Sequence, residues 1–409
     1  LFYRESETVI VTVTLLCFRC LTVLAWKWMH TDNQPAADEI LRSERLQNLL
    51  MEQILAEGGV SFEHYMETAL YHPDWGYYTA GAEIFGPQGD FVTAPTMTPF
   101  FGRCLAVQLA EVITPHPDWR LLEVGAGSGA LAVEVLSALE QFDALPAGYD
   151  IVERSPELCR QQRELLTHRL PHLIERVRWL QAPPYPYRGV VIANELLDAL
   201  PVERVIKTET GWSRIVVTVD GAKLQLTSQP LHDSSLTERF AGMDLPDGYH
   251  TEVNPAAEKW LGSLAEVIEE GLVLLIDYGY GRAEYYHPQR REGTFLCYFR
   301  HTAADDPLRY PGLQDMTAHV DFTALAEVAH SAGMEVAGFT TQAKFLINCG
   351  ILEQLAEISE GAGYAELLAP VKQLLLPGGM GEVFKVMALT RDYSAPLRGL
   401  ATGDLRHTL

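Results

Sequence analysis

The spacing of apolar residues changes character along this chain, and the changes mark its elements. Over residues 40–58, Ile40, Leu41, Leu46, Leu49, Leu50, Ile54 and Leu55 recur at helical spacing and stop at Gly58-Gly59, which predicts an amphipathic helix ended by glycine. The stretch SFEHYMETALYHPDWGYYTAGAEIFGPQGDFVTAPTMTPFFGR that follows is dense in aromatics, Gly and Pro. It predicts a short helix and then an ordered loop, and long loops in compact proteins commonly carry function. Thr98-Pro99 opens another helix, with Thr98 as N-cap, Pro99 in the first turn, and Phe100, Phe101, Cys104, Leu105, Leu109, Val112 and Ile113 on the buried face.

From Trp119 short apolar runs alternate with helical segments, the pattern of an α/β fold whose parallel sheet carries helices on both faces. The predicted strands are RLLEVG (120–125), YDIVE (149–153), VRWLQ (177–181), GVVIANE (189–195) and LVLLIDY (272–278). Within an insertion at about 201–250, VERVIKTETGWSRIVVTVDGAKLQLTSQP reads as antiparallel strands turning at Asp220-Gly221. MEVAGFTTQAKFLI (334–347) and EVFKVMALTR (382–391) predict two further strands with a helical stretch between them. The chain divides into a cap of helices and loops over 29–118 and a core over 119–409. Residues 9–26 form an apolar run broken only by Arg19, borderline in length for a membrane span. Its acidic flank, Glu5 and Glu7, and the lack of a small-residue cleavage site mark residues 1–28 instead as an extension outside a protein that starts at Met29, with no membrane association.

Composition narrows the function. Hydrophobic residues make up 47% and charged residues 21%, the balance of a folded chain, and 54 acids against 31 Lys and Arg give a formal charge of −23. A nucleic-acid partner held by phosphate contacts is disfavoured, since such binding draws on clustered cations. Six scattered cysteines make no disulfide framework. They fit a reducing compartment, the cytoplasm for a bacterial source and the mitochondrion for a eukaryotic one. Cys17-x-x-Cys20 has no second pair at metal spacing, and no metal is expected.

The most informative motif is Glu123-Val124-Gly125-Ala126-Gly127-Ser128-Gly129-Ala130, a strand running into a glycine-rich turn and a helix. Glycines serve there because the turn visits positive φ and a Cβ would keep a ligand from the backbone. Gly125-x-Gly127-x-x-Ala130 also satisfies a dinucleotide fingerprint. The third glycine at 129 and Glu123 two residues before the first fit an S-adenosylmethionine loop better, and Glu153 at the end of the next strand is placed for a ribose diol in either case. A turn without ligand is the bland alternative.

The runs HPDWGYYTAGAEIFGPQGDFVTAP (72–95), EVGAGSGALA, ANELLDALPVERV (193–205), IDYGYG (276–281), DMTAHVDF (315–322) and LRGLATGDLRHTL (397–409) resemble, in order over roughly residues 45–409, the MidA-like methyltransferase family. That family includes a mitochondrial complex I assembly factor that methylates an arginine. The resemblance implies a class I Rossmann-like methyltransferase sheet, S-adenosylmethionine as cofactor, and a protein acceptor carrying an arginine. One position departs: after Thr93-Ala94-Pro95 the family usually has Glu, and Thr96 stands here.

A guanidinium acceptor calls for carboxylates, which match its fork bidentately. Glu195 and Asp198, with Asn194 beside them, sit at the carboxyl end of the fourth strand, the edge where α/β sheets bind ligands. They are the leading acceptor-clamp candidates, with Asn194 assigned to the cofactor; a solvated strand end and a turn cap are the plain alternatives. Asp277 at the end of the fifth strand and Glu252, just before the Asn254 helix cap, are further catalytic candidates. Asp90 and Thr93 are candidates to close over the cofactor, while His319 and Asp321 read better as structural. A non-catalytic assembly factor and a small-molecule methyltransferase are the rival functions.

Overall fold

Alternate residues of the central strands enter two different apolar cores. Val190 and Ile192 face one core while Val191 and Ala193 face the other, and Leu272, Leu274 and Ile276 alternate in the same way with Val273 and Leu275. This period of two, with both sides apolar, is what a sheet covered on both faces requires. The computed structural model describes residues 34–80, 93–300, 302–304, 306–357 and 364–409; the expected extension over 1–28, with Cys17 and Cys20, and the candidate Asp90 lie outside them.

In chain order the strands are β1 (Val60–Ser61), β2 (Arg120–Val124), β3 (Tyr149–Val152), β4 (Val177–Leu180), β5 (Tyr187–Asn194), β6 (Glu203–Thr208), β7 (Gly211–Asp220), β8 (Lys223–Pro230), β9 (His250–Val253), β10 (Ile268–Tyr280), β11 (Leu296–Phe299), β12 (Thr302–Ala304), β13 (Asp315–Thr317), β14 (Val320–Asp321), β15 (Glu335–Thr341) and β16 (Phe384–Arg391). The main sheet runs β4-β3-β2-β5-β10-β16-β15. Its first five strands are mutually parallel, and β16 is antiparallel to both its neighbours. Helices Pro99–Ile113 and Ala130–Gln141 cover one face, and Pro255–Val267 and Phe322–Ser331 the other. Strand order reverses between β2 and β5, so their carboxyl ends open a crevice.

Two expected boundaries move. The strand expected over 334–347 ends at Thr341, whose hydroxyl accepts the Lys344 N–H and starts the helix Gln342–Asn348; Phe345 and Leu346 are buried on that helix. The expected cap divides as well. Pro99–Ile113 packs into the sheet's own core, whereas Leu46, Leu50 and Ile54 of Ala37–Glu57 and Phe62, Tyr65 and Met66 of Phe62–Tyr71 pack against Val202, Val217, Cys297 and Met316. Ile40, Leu41 and Leu55 of the first helix are exposed, which leaves a narrower buried stripe than the periodicity suggested.

Strands β6 to β9 and β1 form a second, antiparallel sheet, and β11 to β13 a third. The β7–β8 hairpin turns after Asp220, paired with Lys223, with Gly221 at φ 60°. The two N-terminal helices pack against these small sheets, and Tyr71 at the end of Phe62–Tyr71 and Asp315 at the start of β13 reach the wall of the crevice.

Candidate active site

The floor of the crevice is the loop after β2. Gly125, Gly127 and Gly129 have φ of 72°, 52° and 80°, a left-handed region that costs a residue with Cβ roughly 1 to 2 kcal/mol. Space adds to that constraint: a Cβ on Gly125 would lie 2.8 Å from Leu196 Cδ1, and one on Gly129 3.2 Å from Gln162 Cγ. Gly129 is also the N-cap of Ala130–Gln141, so the positive end of that helix dipole faces the loop. A small cavity of about 50 Å³ beside it is lined by Thr93, Pro95, Glu123, Gly125, Ala126, Gly127, Ser128, Leu131, Asn194 and Glu195.

Buried polar groups frame this end. Glu123 accepts the Tyr149 hydroxyl at 2.7 Å, and burial pushes it up to about 7 against that bond. Glu153, at the end of β3, accepts Ser155 N–H at 3.0 Å and Gln162 Nε2 at 3.1 Å, with burial raising its pKa. Gln162 Nε2 also donates to the Gly127 carbonyl at 2.9 Å, and Gln162 Oε1 accepts Trp179 Nε1 at 2.9 Å. One side chain therefore locks the glycine turn to the carboxylate at the next strand end. Asn194 donates to Glu195 Oε1 at 3.2 Å, while its own Oδ1 is buried without a hydrogen-bond partner.

A larger cavity of about 330 Å³ runs from Gly125, Gly127, Glu153 and Gln181 to Glu195, Asp198, Trp260, Tyr71, Tyr78 and Asp315. Its two leading acids come from the turn after β5. Glu195, at φ 51°, accepts the Ala94 N–H at 3.3 Å; burial, and next the charge of Asp198, push it up to about 8. Asp198 is 6% exposed, takes a hydrogen bond from the Tyr278 hydroxyl, and keeps Oδ1 buried without a partner; burial raises its pKa. Asp277 anchors the turn from behind. Its carboxylate accepts Leu197 N–H at 2.9 Å, Asp198 N–H at 3.3 Å and Tyr278 N–H at 2.9 Å, so its position is fixed by backbone donors and it is absent from the cavity wall.

Glu195 and Asp198 thus meet Glu123, Gly125, Gly127, Glu153, Thr93 and Asn194 at one continuous crevice, with Gly129 just behind the turn. Glu252 lies elsewhere: fully buried, it accepts the Thr294 N–H at 2.7 Å and hydroxyl at 3.0 Å, 3.7 Å from Arg204. Asp321 caps Phe322–Ser331, and His319 sits among Tyr278 and Tyr280, its pKa lowered to about 4 by burial. Thr96, the departure from the family pattern, turns back on Thr93, whose carbonyl accepts its hydroxyl at 2.9 Å. Sequence reasoning missed Tyr71, Tyr78, Asp315, Trp260, Gln162 and Gln181. Signals existed for the first three, which lie in the aromatic run and the DMTAHVDF segment; Gln162 is an ordinary helical residue until its burial is seen.

These groups suit S-adenosylmethionine. The turn runs through positive φ with Gly125 and Gly127 on the cavity wall, Glu153 can accept from a ribose diol, and the orphaned Asn194 Oδ1 asks for a donor. Comparison with known proteins agrees. The family described as "Putative S-adenosyl-L-methionine-dependent methyltransferase" matches residues 101–340. The protein arginine methyltransferase NDUFAF7, mitochondrial, of Danio rerio is 30% identical over 83% of this chain and 85% of its own length, and the Drosophila melanogaster homolog is 30% identical over 83% of each. A proposed methyl transferase from Burkholderia thailandensis, solved bound to S-adenosyl-homocysteine, is 41% identical, covers 92% of this chain and 99% of its own, and superposes with a TM-score of 0.89. The strand order, the glycine turn and these relatives together establish that the chain belongs to the S-adenosylmethionine-dependent methyltransferase family.

Proposed function

We propose that this methyltransferase acts on the guanidinium of an arginine in a protein acceptor. The observation that carries this reading is the pair Glu195 and Asp198 at the acceptor end of the cavity: among the described residues neither forms an ion pair, and Asp198 Oδ1 is buried without any partner. A buried acid without a counter-charge is costly. A guanidinium supplies both the charge and a fork of donors, and the relatives named as protein arginine methyltransferases support it.

The cofactor, when bound, supplies an electrophilic methyl group on a sulfonium. The chain's work is positioning and exclusion of water. The glycine turn and the N-terminus of Ala130–Gln141 would hold the cofactor's carboxylate, and Glu153 its ribose. Glu195 and Asp198 would hold the guanidinium with one nitrogen left open for methylation; as that nitrogen gains a carbon it must lose a proton, and the Glu195 carboxylate, which a neighbouring guanidinium favours in its ionised form, is the acceptor for it. The cap and the β6–β9 insertion, which pack on each other through Leu46, Val60, Val202 and Val217, are the proposed contact for the protein carrying the arginine. The thiols of Cys104, Cys159 and Cys349 support a reducing compartment, the cytoplasm in a bacterial cell; the curated relatives are mitochondrial.

The test is transfer of labelled methyl into a lysate by Glu195→Gln and Asp198→Asn variants. Losing one charge-assisted contact should cost about 2 to 3 kcal/mol, roughly 30-fold to 160-fold in rate, with S-adenosyl-homocysteine affinity unchanged. Full transfer by both variants refutes the assignment.

A further inference from the structure

Resting on the arginine reading above, we infer that Asp315 is a second acceptor-recognition carboxylate, on a different wall of the same cavity from Glu195 and Asp198, and that Tyr78 holds it in place. Asp315 opens β13, outside the main sheet, and is fully buried although it lines the cavity. The Tyr78 hydroxyl donates to its Oδ1 at 2.7 Å. Tyr78 stacks on Tyr71, with ring centroids 5.5 Å apart and planes at 21°, and the Tyr71 hydroxyl donates to the Ala199 carbonyl at 3.0 Å. This stacked pair thus bridges two walls, one tyrosine bonded to the segment that carries Asp198 and the other to Asp315. The two acids also act on the same hydroxyls: after burial, the charges of Asp315 and of Asp198 both raise Tyr71 and Tyr78.

Carboxylates on two walls select for shape as well as charge. A guanidinium is planar, with five N–H donors along separate edges, and can meet acids on two sides while one nitrogen stays open to the methyl. An ammonium is a compact charge whose three donors fan out from one atom, so it spans less of the gap between two walls than the guanidinium fork does. Asp315 therefore separates arginine from lysine, a task the Glu195 and Asp198 pair alone, lying on one turn, does less well. Arg154, which also lines the cavity, is already engaged: it pairs with Glu67 at 3.1 Å and lies 4.8 Å over the Tyr71 ring.

The experiment is calorimetry on the full chain saturated with S-adenosyl-homocysteine, using Nα-acetyl-arginine amide and Nα-acetyl-lysine amide as probes. The wild type should bind the arginine probe at least about tenfold tighter. Asp315→Asn should weaken the arginine probe roughly tenfold to a hundredfold, change the lysine probe less than about threefold, and leave cofactor affinity within about twofold. A purely structural Asp315 would move both probes together. Tyr78→Phe keeps the carboxylate and releases its orientation, so a smaller loss of the arginine preference is expected; this variant decides the matter if Asp315→Asn does not fold. An unchanged arginine preference in Asp315→Asn, with the preference lost in Asp198→Asn, overturns this inference and leaves the arginine reading standing. A wild type that binds no arginine probe overturns both.

Discussion

Replacing Gln162 by leucine tests the cofactor end of the site through a residue the cofactor need not touch. Gln162 is fully buried on the Pro156–Arg169 helix and makes three hydrogen bonds: to the Gly127 carbonyl at 2.9 Å, to Glu153 Oε2 at 3.1 Å, and from Trp179 Nε1 at 2.9 Å. Leucine fills nearly the same volume, so packing changes little and the loss is in hydrogen bonding. Two neutral bonds at about 1 kcal/mol each and one to a carboxylate at about 2 kcal/mol sum to roughly 4 kcal/mol. Trp179 is only half-buried and can turn to water, which brings the expected loss to about 3 kcal/mol, a large part of the roughly 5 to 15 kcal/mol that holds a domain. The same change unlocks the glycine turn from Glu153, so S-adenosyl-homocysteine should bind about tenfold or more weaker. Urea unfolding and calorimetry measure the two effects. Stability within about 0.5 kcal/mol of wild type together with affinity within about twofold would show that Gln162 is a passive filler.

Gly127→Val should nearly abolish cofactor binding in calorimetry, because a β-branched residue is placed at φ 52° in the turn. Asp277→Asn turns an amide N–H₂ toward backbone donors that now meet a carboxylate; it should cost about 2 to 3 kcal/mol in urea unfolding and lower methyl transfer more than cofactor affinity. Glu195 also predicts a pH dependence. Its folded pKa of about 8 lies above the ordinary 4.5, so its contribution to stability is fully present below that ordinary value and is lost as pH rises toward 8. Unfolding midpoints of the cofactor-free protein should fall over this window, and Glu195→Gln should remove part of the slope.

The sheet was legible because its signal is periodic and local. β2, β3, β5 and β10 are runs of apolar residues buried on both sides, and the turn after β2 is spelled by three glycines. The acid pair was legible for a related reason, since Glu195 and Asp198 follow a strand whose carboxyl end any α/β sheet turns toward ligand. What sequence could not display is convergence of distant segments. Tyr71, Tyr78 and Asp315 meet only because the N-terminal helices pack on the inserted sheets, a contact between residues 46–78 and 202–318 that no local pattern encodes. Asp277 shows the opposite failure. A strand-end acid beside the site looks catalytic from its position, yet its oxygens are taken by two backbone N–H groups of the turn it supports and by that of its strand neighbour Tyr278.

The central claim is that buried carboxylates at the end of β5 hold an arginine for methylation. Its most direct test incubates the full chain with methyl-labelled S-adenosylmethionine and cell lysate, then locates the label by peptide mass spectrometry. Label on arginine nitrogen, lost with Asp198→Asn while that variant still binds S-adenosyl-homocysteine, is the predicted result. Label confined to lysine, to a carboxylate or to small molecules would contradict it.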